Sequence, residues 1–426
     1  VAVTAGLGGA ALGEPQANVQ MHAGIDYEYE ADSSRVMREH VGDPSANPSA
    51  PLPVQNDLSF KQFRHRVTPK VELDVGRTVF FTAALPVVIT QARELRLDTG
   101  VTRATSSTVI DNILPMQGYD ARDPGSAPPG DLMWRGVARH GLDTLDLGIG
   151  FSPMSQLTDD TKPTWRVGAE AHIAVGGVMR LDPTAPQANT AVGYGVHELK
   201  LWTTFEKRLG WARPWTELWW QVPLASTSSS LFQDPGFGST NTQKGQQAGA
   251  SFGIEVFAVD DAVNDNHIGI DVGTRMIAHF EGRDYSEMWE PFAYAGNSTL
   301  QLDADPTQAG IQPRAYPGIS NIENYLETAA RVALRARIGA HGSFAVIGDA
   351  IWKTDHTISF ADSGVDLPTC TSVRTTHCEM NDNDVVNPGT AEVNPLHKDL
   401  IDLVGHRYRS VNNIGFIIGV QGQVVF

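Results

Sequence analysis

Long apolar runs are missing from this chain of 426 residues. No stretch of roughly 18 consecutive apolar residues occurs, which excludes a membrane-spanning helix. Positive charge is short as well. Against 49 Asp and Glu there are 32 Lys and Arg, and the net charge of −17 argues against nucleic acid as a partner. Cysteine is scarce. Cys370 and Cys378 stand in the polar stretch "CTSVRTTHC" and read as a loop disulfide of an oxidising compartment, with two free thiols as the alternative. A zinc site at His377 would need distant ligands. No P-loop, dinucleotide fingerprint or EF-hand pattern occurs, so no cofactor is expected. None of these absences excludes a transmembrane barrel, in which only alternate residues need be apolar.

What is present is alternation. The last segment, "IGFIIGVQGQVVF", sets Ile414, Phe416, Ile418, Val420, Val424 and Phe426 on one face of a strand and mostly small or polar residues on the other. In "NVQMHAGIDYEYEA", Val19, Met21, Ile25, Tyr27 and Tyr29 oppose Asp26, Glu28 and Glu30. "FRHRVTPKVELDV" opposes Phe63, Val67, Val71 and Leu73 to Arg64, Arg66, Lys70, Glu72 and Asp74. "TWRVGAEAHIA" sets Trp165, Val167 and Ile173 against Arg166, Glu170 and His172. "HIGIDVGTRMIAHF" sets Ile270, Val272 and Met276 against Asp271 and Arg275. "ETAARVALRARI" favours a helix by propensity, yet its apolar spacing is two, and period outweighs propensity. With weaker copies the pattern gives about twelve strands, each long enough to cross a bilayer at a tilt.

The links between these segments alternate in length. Short ones fall near 76, 153–163, 209–212, 259–266 and 339–342, and long polar ones near 32–58, 96–139, 176–195, 226–243, 282–325 and 357–407. On the apolar parity, Phe81, Phe151, Trp165, Phe205, Phe344 and Phe426 lie near the short-turn end. Tyr27, Tyr29, Phe63 and Phe280 lie near the long-loop end. Two aromatic girdles are what a barrel in lipid needs.

The segments from about Asn18 to Phe426 resemble a Gram-negative outer-membrane β-barrel protein of the porin-like kind. The closing Phe426 with Val424 is similar to the signal read by the outer-membrane assembly machinery, although Gln421 stands where a Gly is common. The resemblance implies an all-β fold: a transmembrane, antiparallel, up-and-down barrel with short periplasmic turns and long extracellular loops. It also implies both termini in the periplasm, with outer-membrane lipid and lipopolysaccharide around the wall. Residues 18–426 are the expected barrel, and 1–17 a periplasmic tail or lumen plug. The start at Val1 fits removal of a leader.

The inward parity carries both charge signs. Arg64, Arg66, Lys70, Arg166, Arg275, Arg331, Arg335 and Arg337 face Glu170, Asp271, Asp349 and other carboxylates. These residues read either as an eyelet that orients small polar or anionic solutes, or as a wall of cross-strand ion pairs that fills the lumen. The first expectation is therefore a passive diffusion channel. The alternative is a structural barrel whose loops bind a cell-surface protein. An enzyme is not expected. Neither a phospholipase-type H-x-S-N-G motif nor more than the single Asp355-His356 dipeptide of an omptin-like couple is present. Asp382 and Asp384, and Asp260, Asp261 and Asp265, are weak calcium candidates.

Overall fold

The computed structural model describes residues 19–40, 54–76, 78–156, 158–224, 229, 231, 243–261, 264, 266–295, 318–339, 341–360 and 398–426. Its long strands are β1 (Val19–Glu39), β2 (Val54–Val75), β3 (Val79–Ala84, resuming as Val87–Leu97) and β4 (Arg139–Leu142, resuming as Thr144–Met154). They continue with β5 (Thr164–Ala174), β6 (His197–Glu206), β7 (Ala212–Leu224) and β8 (Gln247–Asp261). The last four are β9 (Asn266–His279), β10 (Tyr325–Ile338), β11 (Gly342–Lys353) and β12 (Tyr408–Val425). Each pairs antiparallel with its neighbours in sequence, and β12 closes the ring on β1 from His22↔Val425 to Arg38↔Tyr408. The terminal strand thus finds its partner on the first strand.

Alternation is realised as an inside and an outside. Ile25, Phe63, Ile149, Leu201, Ile270, Val332, Phe416 and Ile418 stand exposed on the outer wall, while Asp26, Asp271, Arg331 and Asp349 on the opposite parity are buried. A belt of this kind is satisfied by acyl chains rather than by water. The exposed Phe81, Phe151, Phe344 and Phe426 edge it at the short-turn end, and Tyr27, Phe63 and Phe280 at the other. Trp211, Trp220 and Trp352, also exposed, extend the girdles beyond the aromatics read from the sequence. The described strands form a closed twelve-stranded antiparallel β-barrel with an apolar outer belt.

Two local features depart from the sequence reading. The polar stretch from about 32 is strand, not loop, as far as Glu39, and β2 starts at Val54, so the two strands run 21 and 22 residues. A crossing needs only about 9–11 residues, and the surplus projects as a ladder at the long-loop end. Polar side chains do not interrupt such pairing in water. Second, β3 breaks at Leu85-Pro86 because proline has no N–H for the ladder; Leu85 N instead donates to Pro69 O at 3.0 Å. At the short-turn end, Gly76, Gly210 and Gly339 take φ of 65°, 61° and 62°, the left-handed geometry of tight hairpins.

The described parts of the long loops fold over the mouth and share one apolar cluster with the inner wall. Val36, Leu58, Phe60, Leu95 and Tyr408 come from the strands, and Ile113, Leu114, Trp134, Met179, Trp289 and Phe292 from the loops. Arg38, buried on β1, fastens this cap through Leu400 O (2.6 Å), His406 O (3.0 Å) and Asp111 Oδ2 (2.5 Å). Glu290 accepts from Trp134 Nε1 and pairs with Arg139, each at 2.9 Å. It fits because residue 136 is glycine; a Cβ there would strike the carboxylate.

Candidate lumen site

The charges that the sequence places inward are brought together by register. Across β1 and β2, Glu30 meets Arg64, Glu28 meets Arg66 and Asp26 meets Lys70, each at 2.8 Å. Arg331 makes a two-pronged bond to Asp349 at 2.8 and 2.7 Å, and Arg275 Nη1 lies 3.7 Å from the same carboxylate. Arg275 also bonds Glu327 at 3.0 Å, and Arg335 pairs with Asp271 at 2.9 Å. Arg166 reaches from β5 to Glu72 on β2 at 2.7 Å. Glu170 sits beside His172, and Arg337 lies in register between His267 and Ser343.

Rings absent from the sequence reading share this space. Phe80, Trp202, Trp215 and Trp219 face inward, each laid against a glycine of a neighbouring strand: Gly150, Gly168, Gly253 and Gly249. The Arg166 guanidinium stacks 3.8 Å from the centre of the Phe80 ring. These aromatics occupy the polar parity, where an apolar-face rule does not look for them.

Between the ion-paired wall and the cap lies a chamber of about 180 Å³. Glu30, Asp32, Asp284 and Glu287 give it negative groups, and Arg64, Arg93 and Lys353 positive ones. Tyr325 is stacked between His279 (4.2 Å) and His356 (4.6 Å) in its wall. Three buried polar atoms that line it, Ser34 Oγ, Arg93 Nε and Asn413 Nδ2, have no hydrogen-bond partner among the described residues. Buried polar groups are nearly always bonded, so this wall is prepared for something polar. Burial pushes the Glu287 carboxyl up, but His356, its own backbone N–H, the Ser410 hydroxyl and Arg93 outweigh it and hold the group below its ordinary range. It stays ionised and accepts from Ser410 Oγ at 2.8 Å.

Several expected sites fall elsewhere. Cys370, Cys378, Asp265, Asp382, Asp384 and residues 1–18 lie outside the described residues. Asp260 is bound by Arg208 at 2.6 Å and Asp261 by Asn264 at 2.7 Å, so both calcium candidates already have partners. Asp355 and His356 do not act as a couple: Asp355 accepts from Asn412 N, while His356 Nε2 points to Glu287 at 4.0 Å.

No family model matches the chain, and neither does any curated protein. Solved structures do resemble it in fold. An outer membrane channel from Pseudomonas putida F1 is 9% identical with a TM-score of 0.43, over 95% of both chains. A Pseudomonas aeruginosa FadL homologue is 7% identical with a TM-score of 0.33, over 96% of this chain and 90% of that one. The outer membrane protease OmpT from Escherichia coli is 8% identical with a TM-score of 0.28, over 96% and 97%. That last likeness corrects the expectation that the chain is not an enzyme: barrels similar in fold include a protease, and the exclusion is withdrawn.

Proposed function

We propose that the barrel is an outer-membrane diffusion channel for small polar solutes, with short turns and both termini in the periplasm, and that the chamber beneath the cap is where a solute pauses. The observation that carries this reading is the chamber wall: opposed charges, a three-ring stack and buried polar atoms without partners among the described residues, around space for a molecule of a few heavy atoms. Arg64, Arg66, Lys70, Arg331 and Arg335 would act as the halves of dipolar rungs rather than as an anion trap, because each has its own carboxylate. The pairing favours zwitterions and neutral polar solutes over anions. The cap sets the rate of entry.

Liposome swelling tests the proposal. Vesicles carrying the folded protein should swell in glycine and more slowly in a disaccharide. Equal and negligible swelling in both, from a barrel whose heat-modifiable gel mobility shows it folded, would remove the channel and leave the filled barrel with a loop partner.

A further inference from the structure

We infer that His172, Glu170 and Asp146 form a binding site for a divalent transition-metal cation on the lumen wall. The three stand on two adjacent strands. Asp146 on β4 is the direct register partner of His172 on β5, and Glu170 is two residues from His172, on the same inward face. One donor atom from each lies within 4.8 Å of the others, with Glu170 at the ring nitrogen that would take the ion and Asp146 at the nitrogen that holds the ring.

The ring is held from both sides. Its Nδ1 lies 2.8 Å from Asp146 Oδ1, and the Thr144 hydroxyl donates to that oxygen at 2.7 Å. Its Nε2 lies 3.1 Å from Glu170 Oε1 yet is buried with no hydrogen bond among the described residues, so the two atoms stand side by side without the alignment of donor and acceptor. Side-by-side donors at that spacing are what an ion between them requires, because the ion lies off the line joining its ligands. A carboxylate on the other ring nitrogen is the familiar support of a metal-bound imidazole.

A second observation points the same way. Asp146 and Glu170 line a lumen cavity of about 90 Å³, and Glu217 from β7 lines it too. The Glu217 side chain is 5% exposed, and its Oε2 has no hydrogen-bond partner among the described residues. Lys200 Nζ, at 3.9 Å, stands beyond bonding distance of the other oxygen. A buried carboxylate oxygen without a partner among the described residues, on the same cavity as Asp146 and Glu170, is the feature an incoming cation would satisfy. Imidazole with carboxylates selects zinc, cobalt or nickel over magnesium.

The competing occupant is a proton, which would make His172 an imidazolium bridging two carboxylates. Calorimetric titration of the detergent-solubilised, folded barrel with Zn²⁺, and the visible spectrum with Co²⁺, separate the two. Saturable one-to-one binding at neutral pH is expected, with no heat from Mg²⁺. His172→Ala should weaken Zn²⁺ about 100-fold or more and Glu217→Gln by less, in line with the cost of losing a ligand or its support. His341→Ala, at an exposed turn, should leave the affinity unchanged. If His172→Ala fails to fold, Glu170→Gln carries the test, because it keeps the side chain's size. Absence of saturable binding to the folded protein, or affinity unaffected by both His172→Ala and Glu170→Gln, overturns the site. Binding is read without any flux, so its failure is distinct from failure of the channel.

Discussion

Trp289→Ala should raise glycine-driven swelling of proteoliposomes several-fold while the barrel stays folded. Trp289 is 1% exposed, packs edge-on against Tyr285 at 4.9 Å, and lies under Arg139 at 5.1 Å. It begins a helix of 6 residues, too short to hold itself together without its packing. Truncating a buried Trp to Ala costs about 3–5 kcal/mol. That loss falls on the cap, because the strand ladders do not depend on this residue. Amide hydrogen exchange should report faster opening over 285–295 and unchanged β1, β2 and β12. Loosened exchange without added swelling would mean that the cap does not control entry.

Asp349→Ala has the largest effect on the wall itself. Its side chain is 1% exposed and is shared by Arg331 and Arg275. Breaking a buried pair by removing one partner costs about 3–5 kcal/mol, because the remaining charge is left without compensation. Thermal unfolding of the detergent-solubilised barrel should show the loss, and Arg331→Ala added to Asp349→Ala should restore part of it. Reversal potentials in a salt gradient should move toward anion selectivity in Asp349→Ala and back in the double variant. An unmoved reversal potential would place the conducting path away from this rung.

The wall was legible because a strand in lipid imposes a strict period of two, and almost every inward charge read from it is inward. That Asp349 meets Arg331 or Arg335 was also legible, because a short turn at 339–342 limits the register between β10 and β11, and the structure selects Arg331. Arg335 with Asp271 was not, since 280–324 separates β9 from β10 and hides their register. Nor was Arg166 with Glu72, which spans the two strands between β2 and β5. The cap left no periodic trace. Trp134, Met179 and Trp289 lie in stretches without repeat, and their packing is decided by contacts between loops far apart in sequence. The inward Trp202 and Trp219 were missed for a related reason: a ring on the polar parity is stable only because Gly168 and Gly249 lie opposite.

Whether a solute reaches the chamber is the central question, and labelling of Ser34→Cys answers it most directly, in a Cys370→Ser, Cys378→Ser background. Ser34 is 5% exposed and lines the chamber. A small, membrane-impermeant, charged thiol reagent should modify this cysteine in the membrane-embedded protein, and faster when Trp289→Ala is added. If the cysteine stays unmodified in both proteins while His341→Cys at the exposed turn reacts, the chamber is sealed and the channel account is wrong.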